Sequence, residues 1–135
     1  MPKRRIIVPP GMEPLWDRFR YAPGVLVGDT LYIAGMVGRR ADMSVVEDPE
    51  AQFVQAMENV GQVLRAAGAG FRDVVEMETW FLDFAAALPV FLRVKDRFFD
   101  APPYPTWTGF GVAAFSTLGI VFEVKCTAIL GLQDA

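Results

Sequence analysis

The residues of this chain with chemistry to offer cluster near its end, in 102-PPYPTWTGFGVAAFSTLGIVFEVKCTAIL-130. Glu123 is an acid inside an otherwise apolar β-like run. Trp107 sits in the run before it, across a break from Ser116 to Gly119. A carboxyl held in apolar surroundings has its pKa raised and can give and take protons near neutral pH. An indole face beside it would stack on a planar ligand. The chain has no histidine. That removes imidazole acid/base catalysis, a Ser-His-Asp triad, a Cys-His pair and His-based metal sites. Carboxylates, Tyr, Lys/Arg, backbone amides and water remain. No glycine-rich phosphate motif or Cys/His cluster is present, and the acids are too scattered to specify a metal site. No metal and no cofactor is expected.

Strand periodicity decides which side chains can meet. In the last run Val121, Glu123, Lys125 and Thr127 share one face, and Phe122, Val124, Cys126 and Ala128 the other. The apolar set suits packing under helices. Along 105–115, Trp107 shares its face with Gly109, Gly111 and Ala113, which leaves open space beside the indole. A pocket at a subunit junction, floored by Trp107 with Glu123 nearby, is one reading. Glu123 and Lys125 pairing with charges across an interface is the other.

The elements that must position these residues follow from local pattern. Residues 4-RRIIV-8 read as a strand stopped by Pro9, Pro10 and Gly11, and 12–20 read as loop. Two apolar runs in 24-GVLVGDTLYIAGMVG-38 meet at Gly28-Asp29, a hairpin signal. Gly35 follows, either opening backbone to a ligand or easing a bend. Residues 39–47 read as loop. Asp48 is a good N-cap with Pro49 behind it, and Phe53, Met57, Val60 and Leu64 recur at helical spacing to Ala67. Residues 73–83 alternate as a strand, with Glu76, Glu78 and Trp80 on one face. Those two acids fit acid/base work or a solvated or interface face. A second helix spans 85–99, its aromatic stripe fitting core better than a cofactor box. The order β-β-β-α-β-α-β-β gives an α+β fold, with two helices on one face of a mixed sheet.

The length, 135 residues, fits one domain over 1–135. Apolar residues make up 53% of it, more than so small a domain can hide, so a homo-oligomer covering the bare sheet face is expected. The net charge of −3 and the absence of a basic face exclude nucleic acid as an expected partner. No run is long enough to span a membrane and no leader pattern opens the chain. The lone Cys126 fits a reducing, cytoplasmic setting.

Four segments resemble the RidA family, also called YjgF or L-PSP endoribonuclease-like proteins. They are 21-YAPGVLVGDTLYIAG-35, 50-EAQFVQAMENVGQVLRAAGAGFRDVV-75, 79-TWFLDFAAALPVFLRVKDRFF-99, and 103-PYPTWTGFGVAAF-115 with 121-VFEVKCTAI-129. The resemblance implies a chorismate-mutase-like (YjgF-like) fold, a homotrimer around a central barrel, and ligand clefts between subunits. It also implies hydrolysis of reactive enamines or imines to ketoacids and ammonia, with Glu123 holding the hydrolytic water. The position of the family's carboxylate-gripping arginine is here Trp107. A guanidinium can bind a carboxylate through two hydrogen bonds and a neutral ring cannot. The family tyrosine matches Tyr21, its serine-glycine pair is Ala34-Gly35, and its helix asparagine is Leu92. With Thr108 these residues make the expected substrate site. This pattern resembles an arginine-lacking branch, and points to a small-molecule ligand with an aromatic or apolar part, deaminated or tautomerised. A non-catalytic metabolite-binding or regulatory trimer is the alternative. RNA cleavage, named in the family's older titles, is disfavoured by the acidic charge and missing histidine.

Overall fold

The computed structural model describes residues 1–135, and its elements run in this order. They are β1 (Arg4–Ile7), α1 (Glu13–Asp17), β2 (Gly24–Val27), β3 (Thr30–Ile33), β4 (Met36–Val37), α2 (Pro49–Ala66), a 3-10 turn at Phe71–Asp73, β5 (Val74–Phe81), α3 (Phe84–Phe98), β6 (Thr106–Gly111) and β7 (Phe122–Ile129). Helix α2 starts where its capping chemistry says it should. The Asp48 carboxylate accepts the Ala51 amide at 2.9 Å, and Pro49 opens the helix. Helix α3 begins one residue earlier than the sequence pattern implied, with Asp83 as N-cap. Residues 12–20, read as loop, contain α1. Residues 39–47 stay largely irregular, with one bridge between Arg39 and Val45.

The strands form one mixed sheet in the order β1-β2-β3-β7-β5-β6, with β4 also on β7. The hairpin at Gly28-Asp29 sets Val27 opposite Thr30. Strand β7 is antiparallel to β3, β4 and β5, and β5 is parallel to β6 through the α3 crossover. Both long helices pack on one face of this sheet.

Alternation in β7 is strict: Phe122, Val124, Cys126 and Ala128 are buried under the helices, while Glu123, Lys125, Thr127 and Ile129 are only half-buried on the opposite face. Burial pushes the Cys126 thiol up to about 12, which fits a residue packed as a hydrophobe. The centre of the core is aromatic. Phe53 meets Phe122 at 4.9 Å and Phe91 at 6.0 Å between ring centroids, and Phe81 meets Phe91 at 5.4 Å. Removing one of these rings leaves a cavity that its rigid neighbours cannot fill. Phe53→Ala is therefore expected to cost about 3–5 kcal/mol in chemical denaturation.

Candidate functional site

Strands β3 and β4 both pair with β7, but a gap separates them. Tyr32 is paired with Thr127 and Met36 with Val124. Ala34 and Gly35 lie in the gap, where the Ala34 amide turns to the Pro23 carbonyl at 2.9 Å. The Glu123 side chain lies against Gly35. A β-carbon at position 35 would stand 2.6 Å from Glu123 Oε2 and 2.9 Å from its Cδ. Glycine here leaves the space the carboxyl occupies.

That carboxyl faces a cavity of about 270 Å³. Tyr21, Arg39, Arg40, Thr117 and Glu123 are among its polar lining; Met12, Leu15, Phe19, Met36, Phe115 and Ile120 supply apolar surface. Tyr21 reaches the cavity because the turn after α1 folds back, its amide donating to the Leu15 carbonyl at 3.2 Å. Arg39 donates from its guanidinium to the Thr117 hydroxyl. The chain's ion pairs, Arg93–Glu50 and Lys95–Asp96, lie elsewhere and involve neither Arg39 nor Glu123.

Burial raises the Glu123 carboxyl above its ordinary value. Burial also raises the Tyr21 phenol, the nearby Glu123 charge adds to this, and Arg39 opposes it. Tyr21 is therefore a neutral hydroxyl at physiological pH.

Helix α2 holds the cavity walls with two amide side chains. Asn59 Nδ2 donates to the carbonyls of Val37 and Arg39, both at 2.9 Å. Its Oδ1 accepts from Gln55 and Gln62. Gln52 is fully buried; its Nε2 donates to the carbonyls of Val46 and Gly119 at 2.9 Å, and its Oε1 accepts the Val121 amide at 2.7 Å. A buried amide with both ends satisfied fixes geometry, because any shift leaves a costly orphan group.

Of the residues singled out in the sequence, the structure brings Tyr21, Gly35 and Glu123 together. Ala34 packs against the core instead of lining the cavity. Leu92 lies 39% exposed on α3, and Thr108 is exposed on β6. Trp107 does not meet Glu123 within one chain. It is paired with Met77, on the helix-packed side, whereas Glu123 is opposite Trp80 on the other, with β5 between β6 and β7. Its indole N–H donates to Thr79 Oγ1 at 2.8 Å, its ring centroid lies 5.7 Å from that of Phe91, and Lys95 Nζ stands 5.8 Å from its ring. The open space expected beside the indole is also taken. The Phe84 ring covers Gly109, where an added β-carbon would be 2.4 Å from Phe84 Cζ.

Sequence reasoning missed Arg39, Thr117, the apolar wall from α1, and the two amides of α2. The signals were faint. Arg39 and Arg40 stand together between a strand and a helix, and Leu15 and Phe19 are one helical turn apart. Gln52 and Asn59 interrupt the apolar stripe of α2 at positions that turn out buried.

No helix is long and apolar enough to cross a membrane. A family model described as endoribonuclease L-PSP matches residues 16–130. The RutC family protein YjgH of Escherichia coli K12 is 34% identical over 128 residues, covering 95% of this chain and 96% of that one. A 2-iminobutanoate/2-iminopropanoate deaminase of Dermatophagoides farinae is 32% identical over 114 residues, covering 83% and 85%. A solved structure named protein YJGH superposes with a TM-score of 0.87 at 33% identity, over 96% of this chain and 98% of that one. The shared three-helix, mixed-sheet α+β fold and the near full-length matches lead to one assignment: this chain belongs to the RidA/YjgF family, the endoribonuclease L-PSP family.

Proposed function

We propose that this cavity hydrolyses an enamine or imine with an aromatic or apolar part, giving the carbonyl compound and ammonia. The observation that carries the reading is Glu123: a half-buried carboxyl with a burial-raised pKa, seated on Gly35 and facing a partly open cavity beside a neutral tyrosine. The deaminase among the relatives supports the same chemistry.

An enamine takes a proton on carbon from the protonated Glu123 and becomes the iminium ion. The carboxylate so formed removes a proton from water as the water oxygen bonds to the iminium carbon. The protonated carboxyl then gives that proton to nitrogen, the carbon–nitrogen bond breaks, and ammonia leaves as the hydroxyl returns its proton to the Glu123 carboxylate and the carbonyl forms. A carboxyl with a raised pKa suits both roles. Tyr21 donates a hydrogen bond to the developing oxygen.

The open sheet face motivates the assembly. Tyr32 is 51% and Phe110 44% exposed, and Trp80 stacks on Phe110 at 6.0 Å. A homotrimer would cover this apolar face. Trp107, Thr108 and Leu92 of a neighbouring copy would then border the cleft. The chain acts as one domain over 1–135, takes a small-molecule ligand and no nucleic acid, and suits a reducing cytoplasm through its buried Cys126. A monomer mass by light scattering would remove the shared cleft.

The reaction is tested by ammonia release from imines generated in situ by an amino-acid oxidase. Release above the uncatalysed rate supports it. No acceleration with any imine, together with tight metabolite binding, would replace the enzyme by a binding protein. Gly35→Ala forces the carboxyl off its seat, so a loss of at least about tenfold in kcat/KM is expected with an unchanged circular dichroism spectrum.

A further inference from the structure

Arg39 is a half-buried cation whose partner in the protein is a neutral hydroxyl, that of Thr117. Guanidinium carries five N–H donors in a planar fork, so one hydroxyl leaves most of them unused. A guanidinium with free donors in a cavity wall is suited to bind an anionic ligand through paired hydrogen bonds. The backbone beneath it is fixed, since Asn59 holds the Arg39 carbonyl from α2. Its position is built and not a surface accident.

Of the other charges on the cavity wall, Arg40 is a second cation, bonded through its guanidinium to the Ser44 hydroxyl and the Val45 carbonyl, and Glu123 is not that partner. Arg39 and Glu123 both line the cavity but form no ion pair. Burial alone governs the Glu123 carboxyl, whereas the Tyr21 phenol feels Arg39 as well as Glu123. Tyr21 thus stands under the influence of both. The wall also carries apolar surface from α1 and its turn, Met12, Leu15 and Phe19, and from Phe115 in the loop before β7. A cavity of about 150 Å³ accepts benzene. The 270 Å³ here has room for a ring with a short acidic chain.

We infer that Arg39 is the anion anchor of this site, supplied by the same chain as Glu123, and that the ligands it selects are monocarboxylates with a bulky, preferably aromatic, side group lodged against Met12, Leu15 and Phe19. The inference deepens the hydrolytic reading and rests on it for the substrate class, α-imino acids with large apolar side chains. Arg39 binds the carboxylate, the imine carbon lies toward Glu123, and the side group replaces water along α1. The anchor does not depend on position 107, which holds an indole.

Phenylacetate and its neutral isostere phenylacetamide test the anchor by calorimetric titration of the full chain. The wild type is expected to bind phenylacetate at least about tenfold more tightly than phenylacetamide, the lower range for one charge-assisted contact. Arg39→Gln should remove that preference, weakening phenylacetate far more than phenylacetamide; Arg39→Lys should keep part of it. Equal binding of the two probes by the wild type overturns the anchor whether or not a variant folds, as does undiminished phenylacetate binding by Arg39→Gln. With oxidase-generated imines, the phenylalanine imine should show at least about a tenfold rise in KM in Arg39→Gln with kcat little changed. Leu15→Ala/Phe19→Ala should move preference from that imine toward the alanine imine, and an unchanged preference would overturn the α1 wall. The two readings fail separately. Turnover that survives Arg39→Gln unchanged refutes the anchor alone, and phenylacetate binding that needs Arg39 in a protein without turnover refutes the hydrolase alone.

Discussion

Glu123→Gln is expected to reduce imine hydrolysis by about 10²–10⁴-fold, the usual worth of a positioned acid/base group, while leaving the fold intact. The amide keeps the shape of the carboxyl and its fit over Gly35, so the loss isolates proton transfer. The pH profile should change with it. Water attack needs the ionised form, so wild-type kcat/KM climbs with pH along a limb whose midpoint lies above the ordinary value of 4.5, because burial raises this carboxyl. Glu123→Gln should lack that limb. The stability effect has the opposite sign. A carboxyl whose folded pKa is raised stabilises the fold below its unfolded pKa, and that contribution is lost as pH rises through the folded value. At neutral pH the ionised group is a burden, so Glu123→Gln should melt higher than wild type there. The gain should shrink toward pH 4. A variant as active as wild type with every imine, or one that melts lower at neutral pH, would remove Glu123 from its role.

Gln52→Leu is expected to give the largest loss of stability from a polar side chain, about 2–4 kcal/mol, or roughly 10 °C in Tm. Leucine has nearly the same volume and suits the dry surroundings, so the loss reports hydrogen bonds and not a void. The Val121 amide and the Val46 and Gly119 carbonyls lose their shared partner. Val46 and Gly119 belong to segments far apart in sequence that flank the cavity, so the variant should also bind phenylacetate at least about tenfold more weakly. Scanning calorimetry and titration measure both effects on one sample. A Tm within a degree of wild type would mean that these loops hold themselves.

Much of the fold was legible because its signals are local. Asp48-Pro49 caps α2, Gly28-Asp29 turns the first hairpin, and strict alternation sorts β7 into a helix side and an open side. Glu123 stood out because an acid in such a strand contradicts its neighbours. Tyr21 came from family resemblance, Gly35 from its place after a strand as well as from that resemblance, and the cavity gathers both with Glu123. Trp107 shows where sequence reasoning ran out. Its face could be read within β6, but which face of β6 matches which face of β7 depends on β5, which pairs with one parallel and the other antiparallel. Arg39 was illegible for a related reason. An arginine in a polar loop looks solvated until Thr117 and α2, distant in the chain, fold around it. The two amides of α2 were hidden because side chains that bond loop backbones leave no periodic trace.

The central place of β7 has a consequence for how this protein can change over time. Glu123 is built into the strand that three others grip, so its surroundings are inherited with the core and resist drift. The surfaces that meet the side group of a ligand come from α1, which has no buried residue, and from the largely exposed residues 40–43. Reactivity and recognition therefore sit on parts of the chain under different mutational pressure. Descendants of this sequence can exchange one ligand for another by altering a short helix and a loop, while the acid that would do the chemistry never moves.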